Sequence, residues 1–241
     1  MAVTVAVRHH RHHQIRPERT SMLLQAGVRA FAVPLFRMVY RPRVEGREHV
    51  PRTGAVILAA NHISALDSFV IPLVSPRPVA FMAKAEYFVR PGAKGWVTRT
   101  FLEGTDAIPI SRTEIHTAQD SLDAARTVLT EGRAFGIHPE GSRSRDGRIH
   151  RGRTGVAWLA LETGATVIPV GVIGTDRLQP VGSKLPRLGR VTVRFGEPLR
   201  FTPPDGVNPN KARRAVTDEI MAAIQGLSGQ ETASGYANLG G

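Results

Sequence analysis

The chain has 241 residues, enough for one sizeable α/β domain with decoration or for two small domains. It is 41% hydrophobic but only 6% aromatic, so aliphatic side chains must build the core, and the absence of cysteine excludes disulfides, zinc–thiolate sites, iron–sulfur clusters and a cysteine nucleophile. Its 32 basic residues, 28 of them arginine, outnumber 20 acidic ones for a net charge of +12; this bias reflects either a GC-rich coding genome or attraction to nucleic acid, anionic lipid or a phosphorylated substrate.

Residues 1–20 are expected to form a flexible basic arm. Its apolar run, "AVTVAV", precedes the basic residues, the reverse of a secretory signal, and His9, His10, His12 and His13 lie in this arm. Residues 21–44 follow as an amphipathic helical segment. Within "SMLLQAGVRAFAVPLFRMVY", Ser21, Gln25 and Arg29 make one polar stripe and apolar residues cover much of the rest. Arg29, Pro34 and Arg37 interrupt it, so it is too broken to span a bilayer. With basic flanks at Arg16, Arg19, Arg41, Arg43 and Arg47, it suits either the headgroup region of an anionic membrane or the protein's own core.

From residue 45 onward, short apolar strands alternate with helical patterns. "AVILAA" reads as a buried strand and "SALDSFVIPLV" opens a helix. "PVAFMAKAEYF" reads as a strand running into a helix start, and "DAIPISR" as a short strand. "TAQDSLDAARTVLTEGR" has helical spacing, followed by a strand at "AFGI", a helix at "TGVAWLALETGA" and a strand at "TVIPVGVIG". "RVTVRFGEPL" alternates as a strand does, and "NKARRAVTDEIMAAIQGL" is a last amphipathic helix. The expected class is α/β, a mixed and largely parallel sheet flanked by helices over residues 45–227. Residues 228–241 have little to bury and are expected to be flexible.

Three polar clusters each follow a short strand, where open α/β sheets place their sites. In "NHISALD", His62 can accept a proton near neutral pH, and Asp67 can orient its ring. The same residues also read as a capping box, with Ser64 as the N-cap and Asp67 three positions on. In "HPEGSRS", Gly141 lets the backbone approach a ligand, Arg143 can clamp a phosphate, and Glu140 can orient that arginine or accept from a substrate hydroxyl. A plain strand-to-loop turn fits that cluster too. In "AIPISR", Arg112 ends a strand, which alone says little.

Taken together and in order, these blocks resemble the glycerolipid acyltransferases. An N-H-x4-D block is matched by Asn61, His62 and Asp67, and an apolar-P-apolar-x-R block by Ile108, Pro109, Ile110 and Arg112. A third block, F-P-E-G-T/S-R-S, is matched by Pro139, Glu140, Gly141, Ser142, Arg143 and Ser144, and a fourth by Val167, Ile168, Pro169 and Val170. The similarity covers about residues 45–200. Two positions depart from it: His138 stands where an aromatic residue is usual, either filling the same wall or bonding substrate, and Ser111 stands where an acidic residue is frequent.

The resemblance implies transfer of a fatty acyl group from acyl-CoA or acyl-carrier protein to a glycerol hydroxyl such as that of lysophosphatidic acid. His62 would be the general base and Asp67 would orient it. Arg112, Arg143, Glu140, Gly141 and Ser142 would bind the acceptor, with Lys84 as an addition that could reach an acidic substrate. The thioester is already activated, so no acyl-enzyme, metal or further cofactor is expected. The expected location is peripheral or monotopic, on the cytoplasmic face of the plasma membrane. Two rival readings fare worse. The run "RSRDGRIHRGR" lacks interleaved aromatics and any reader motif for nucleic acid. A hydrolase would want a G-x-S-x-G elbow or a metal-ligand spacing, and neither occurs.

Overall fold

A computed structural model describes residues 19–110, 118–183 and 186–237. In chain order the elements are α1 (Arg19–Tyr40), β1 (Arg43–Glu45), β2 (Val56–Ala60), α2 (Asp67–Val74), β3 (Val79–Ala80), β4 (Met82–Lys84), α3 (Gly92–Gly104) and β5 (Ile108–Ile110). The chain continues with α4 (Ala118–Thr130), β6 (Ala134–Ile137), α5 (Gly155–Thr163), β7 (Thr166–Ile173), the four-residue α6 (Thr175–Leu178), β8 (Thr192–Phe195) and α7 (Pro209–Ser228). The main sheet runs β1-β8-β7-β2-β6-β3, parallel throughout except for the β7–β8 pair. β4 and β5 form a separate parallel pair.

The continuous apolar strands of the sequence are those covered on both faces, as parallel sheets require. Along β2, Val56, Leu58 and Ala60 face one layer with Val70, Ile71 and Val74 of α2 and Leu178 of α6. Ile57 and Ala59 face the other layer, among Val128 and Leu129 of α4, Leu159 of α5 and Ile220 and Ile224 of α7. β2 lies between β7 and β6, and all three run in the same direction. Their carboxyl ends therefore open together at one edge of the sheet.

The α1 segment begins two residues before the expected helix and runs straight through Pro34. Phe36 and Tyr40 pack on the first core layer. Val28 meets α3 at Gly104, where a Cβ would stand 2.4 Å from the valine side chain, so glycine permits this close crossing. The face carrying Leu23, Phe31, Leu35 and Met38 stays exposed. The α3 helix has no counterpart in the sequence reading, because glycines at 92 and 95 and scattered apolar residues hide its period. It too exposes apolar side chains, Trp96 and Val97. Among the described residues no helix is long and apolar enough to cross a membrane.

Two expected boundaries change. The sheet starts at Arg43, because β1 pairs with β8, so part of the segment assigned to the helical arm belongs to the domain. The tail after α7 is not loose over its described part. Helix α7 is stopped by Gly229 in the left-handed region. The chain then lies along residues 149–151, with Ile149 N–H on Glu231 C=O at 2.8 Å, Ala233 N–H on Ile149 C=O at 2.8 Å and Arg151 N–H on Gly235 C=O at 2.9 Å. Ala233 and Ala237 are buried, and the Tyr236 ring lies under the guanidinium groups of Arg151 and Arg153. Backbone pairing and cation–π contacts hold this segment, and apolar composition does not report them.

Candidate active site

Asn61 follows directly on β2 and carries the ladder one residue further with its side chain. Its Oδ1 accepts from Val172 N–H at 2.7 Å and its Nδ2 donates to Val172 C=O at 2.9 Å. The amide mimics a peptide and fastens the strand end to β7. The same Nδ2 donates to Gln230 Oε1 at 2.7 Å, and Gln230 Nε2 donates to Gly147 C=O at 2.8 Å. Thus the tail also reaches the site.

His62 comes next and its backbone is held on both sides by the loop after β6. Its N–H donates to Glu140 Oε1 at 3.0 Å, and its C=O accepts from Ser144 N–H at 2.7 Å. The two motifs, 78 residues apart, are physically one structure at this peptide. The ring Nδ1 lies 3.0 Å from Asp67 Oδ2. Asp67 is fully buried and its carboxylate can only accept, so Nδ1 carries the proton and Nε2 presents a lone pair. The His62 side chain keeps 19% of its surface exposed, which leaves it reachable.

Asp67 Oδ2 also accepts from Ile63 N–H and Ser64 N–H, each at 2.8 Å, while Oδ1 accepts from the Thr175 hydroxyl at 2.5 Å. The capping-box half of the sequence reading is realised in altered form. The carboxylate reaches back to the Ser64 N–H, but the helix starts at Asp67 and the Ser64 hydroxyl takes the Leu66 N–H instead. One carboxylate therefore closes the turn and faces the histidine.

Glu140 departs from its expected role. It is completely buried, Oε1 is taken by His62 N–H, and Oε2 by His150 N–H at 2.9 Å. Burial pushes its carboxyl up, and these two N–H groups with the nearby histidines oppose that. Both oxygens accept from backbone N–H groups, so Glu140 ties the loop to the His62 peptide. Gly141 sits at φ +77°, and a Cβ there would stand 2.7 Å from Arg153 Nε. It is glycine for both reasons, conformation and room. Ser142 and Arg143 follow, both half-buried, and Arg143 has no carboxylate partner among the described residues.

His138 lies flat on His62, the ring centroids 4.0 Å apart and the planes within 10°. Its Nδ1 faces Ala60 C=O at 3.2 Å and Asn61 C=O at 3.1 Å, so that nitrogen carries the hydrogen. Nε2 then accepts from the Ser68 hydroxyl at 3.1 Å. Both nitrogens are engaged within the chain, an arrangement that suits the wall, the first of the two expectations for His138. Burial first, then the charge of His62, pushes the His138 pKa from 6.5 down to about 3. The unfolded chain thus binds a proton at this residue between about pH 6.5 and 3 that the fold refuses, and its contribution to stability is lost as the pH falls through that window. Changing His138 to Phe is expected to keep turnover within about threefold of the parent, since stacking survives. Melts followed from pH 7 to 4 should show a weaker acid loss for the variant; identical curves would contradict this assignment.

Lys84 closes β4, opposite Ile110 of β5. Arg112 lies outside the described residues, two positions beyond the end of β5. Thr175, Ser68, Asn61 as a ladder mimic and Gln230 were not legible as site residues. Only Asn61 stood in a recognised block. Thr175 and Gln230 are single polar residues far away in the chain, and Ser68, next to Asp67, stands outside the N-H-x4-D pattern. Among the described residues no three His, Asp or Glu side chains gather as metal ligands.

A doubly covered, mostly parallel sheet with a buried aspartate facing a partly exposed histidine, just past the carboxyl end of its central strand, defines a class. The chain belongs to the Acyltransferase family, whose model matches residues 41–173. It is 28% identical over 183 residues to the chloroplastic 1-acyl-sn-glycerol-3-phosphate acyltransferase of Arabidopsis thaliana, covering 75% of this chain and 49% of that one. It is 31% identical over 133 residues to the 1-acyl-sn-glycerol-3-phosphate acyltransferase of Borreliella burgdorferi, covering 55% and 51%. The chain thus spans about half the length of these curated relatives. The crystal structure of the 1-acyl-sn-glycerophosphate acyltransferase from Thermotoga maritima superposes with a TM-score of 0.65 at 25% identity, over 89% of this chain and 83% of that one.

Proposed function

We propose that this chain transfers a fatty acyl group from an acyl thioester to the free sn-2 hydroxyl of 1-acylglycerol-3-phosphate, forming phosphatidic acid. The observation that carries the reading is the His62–Asp67 pair, 3.0 Å apart and held at a sheet edge by the Glu140 loop, in a chain of the Acyltransferase family. The relatives' names supply the acceptor. His62 Nε2 takes the hydroxyl proton as the oxygen attacks the thioester carbonyl. The C–S bond of the tetrahedral adduct then breaks, and the leaving thiolate takes the proton back from His62. Asp67 holds the ring's tautomer and stabilises the imidazolium between these steps. The chemistry uses no cofactor beyond the thioester, which is acyl-CoA or acyl-carrier protein.

Arg143, with Arg112 and Lys84, would meet the acceptor phosphate beside Gly141 and Ser142. Changing Arg143 to Ala is expected to raise the acceptor KM about tenfold with little change in kcat. Steady-state rates against lysophosphatidate concentration check it. An unchanged KM would take Arg143 out of the acceptor site.

The exposed apolar face of α1 (Leu23, Phe31, Leu35 and Met38), with Arg37 and Arg41 exposed beside it, supports peripheral attachment to an anionic membrane where lysophosphatidate resides. The location we propose is the cytoplasmic face of the plasma membrane, whose anionic lipids would meet these arginines. A labelled thioester, supplied as CoA and as carrier-protein forms, offered with lysophosphatidate, lysophospholipid and glycerol phosphate, tests the reading. Labelled phosphatidate is the expected product. Label only in another acceptor would leave the reaction class and overturn the acceptor, and no transfer from either donor would overturn both.

A further inference from the structure

We propose that Thr175 is a positioning residue for the catalytic pair, holding the far oxygen of Asp67 so that the near one meets His62 in a single orientation. This rests on the reading of His62 as base and Asp67 as its orienting carboxylate.

The observation is the pattern of donors on Asp67. Three converge on Oδ2, namely His62 Nδ1, Ile63 N–H and Ser64 N–H, and all three come from the same short turn. Oδ1, on the other side of the buried carboxylate, needs a donor of its own. Among the described residues Oδ1 has one donor, the Thr175 hydroxyl at 2.5 Å, which comes from 108 residues away. Asp67 and Thr175 are both at 0% exposure, so no bulk water can stand in for that hydroxyl. A carboxylate accepts only, and a threonine has one hydroxyl proton, so the Thr175 proton is committed to Asp67. A charge-assisted bond of this kind is short and strong.

The fold explains how Thr175 arrives there. β7 runs parallel to β2 and beside it, so its carboxyl end reaches the same sheet edge as His62. Gly174, at φ +90°, turns the chain there, and Thr175 begins α6. Its own C=O is used by Gln179 N–H at 2.9 Å, and Gln179 C=O in turn lies 3.5 Å from the Ser64 hydroxyl. The turn after β7 is thus tied to the His62–Asp67 turn at two points, and Thr175 alone among them touches the carboxylate. Its side chain touches neither His62 nor, at 0% exposure, any substrate; it acts through Asp67.

The test compares Thr175→Val, which keeps the shape and removes the hydroxyl, with Thr175→Ser, which keeps the hydroxyl. The valine variant should lose about 10- to 100-fold in kcat with KM for both substrates within about twofold. The serine variant should recover to within about threefold of the parent. A valine variant at the parental rate overturns the proposal, as does equal loss in both variants, which would mean that shape and not the hydroxyl matters. A second measurement needs no substrate. The His62 Nδ1 proton bonded to Asp67 should give a downfield NMR signal, assigned by its disappearance in His62→Ala. It should move in the valine variant and return in the serine variant; an unmoved signal overturns the proposal. If the parental chain transfers no acyl group, the proposed function fails while the NMR comparison still decides whether Thr175 positions the pair.

Discussion

His62→Ala is expected to lower acyl transfer by about a thousandfold or more while leaving the fold in place. General-base catalysis contributes roughly 10²–10⁴-fold, and the same ring also returns the proton to the leaving thiolate. Few contacts of the structure depend on the imidazole. Asp67 would keep three of its four donors, Ile63 N–H, Ser64 N–H and the Thr175 hydroxyl. The grip of the Glu140 loop on residue 62 is through backbone, which alanine retains. The imidazole also offers a stacking face to His138, which alanine would remove. The melting temperature should therefore move by no more than a few degrees. Single-turnover assays with a labelled thioester, beside a thermal melt, check both halves. Turnover at the parental rate would remove His62 from the chemistry.

Glu140→Gln is the second large effect, and it separates two roles. If Glu140 bound the acceptor, the amide would chiefly raise KM and leave stability alone. The structure points elsewhere, because the two carboxylate oxygens accept from two backbone N–H groups, those of His62 and His150. Glutamine has one oxygen, so its NH2 must face one of those donors. An orphaned buried N–H costs about 1–3 kcal/mol. At this chain length that lowers the melting temperature by about 2–12 °C. The peptide of residue 62 would shift with its anchor, and a displacement of even about 1 Å near reacting atoms can reduce rate about 100-fold. We expect kcat and melting temperature to fall together, with KM little changed. A variant that melts like the parent but binds acceptor poorly would restore Glu140 to the substrate site.

The residues that make up these two effects were unequally visible. His62 and Asp67 stood in one short stretch, and their partnership needed only a local turn. Glu140 was visible as a site residue, but its role was not, because its partners are backbone groups at positions 62 and 150. Composition reports side chains, and the N–H of His150 has no signature in it. The departure at His138 was noticed from the family pattern. Its single tautomer follows from carbonyls at 60 and 61 and a hydroxyl at 68, which meet only when β6 pairs with β2, and its neutral state follows from burial. The tail misled for a related reason. Residues 230–237 hold on through backbone hydrogen bonds and a tyrosine under two arginines, and apolar content does not count either.

From the sequence alone follow the alternation of strand and helix, the burial of β2, and the placing of each polar block directly after a strand. These are local properties: hydrophobic period, turn residues and spacing act within a few residues of one another. Only the tertiary structure decided which blocks share a peptide, which oxygen of Asp67 faces His62, and that Thr175 and Gln230 reach the site at all. Apart from the Asp67–His62 contact itself, those contacts join residues 78 to 169 positions apart. They exist because three parallel strands end at one edge, and strand order is a matter of packing that no local stretch of the chain encodes.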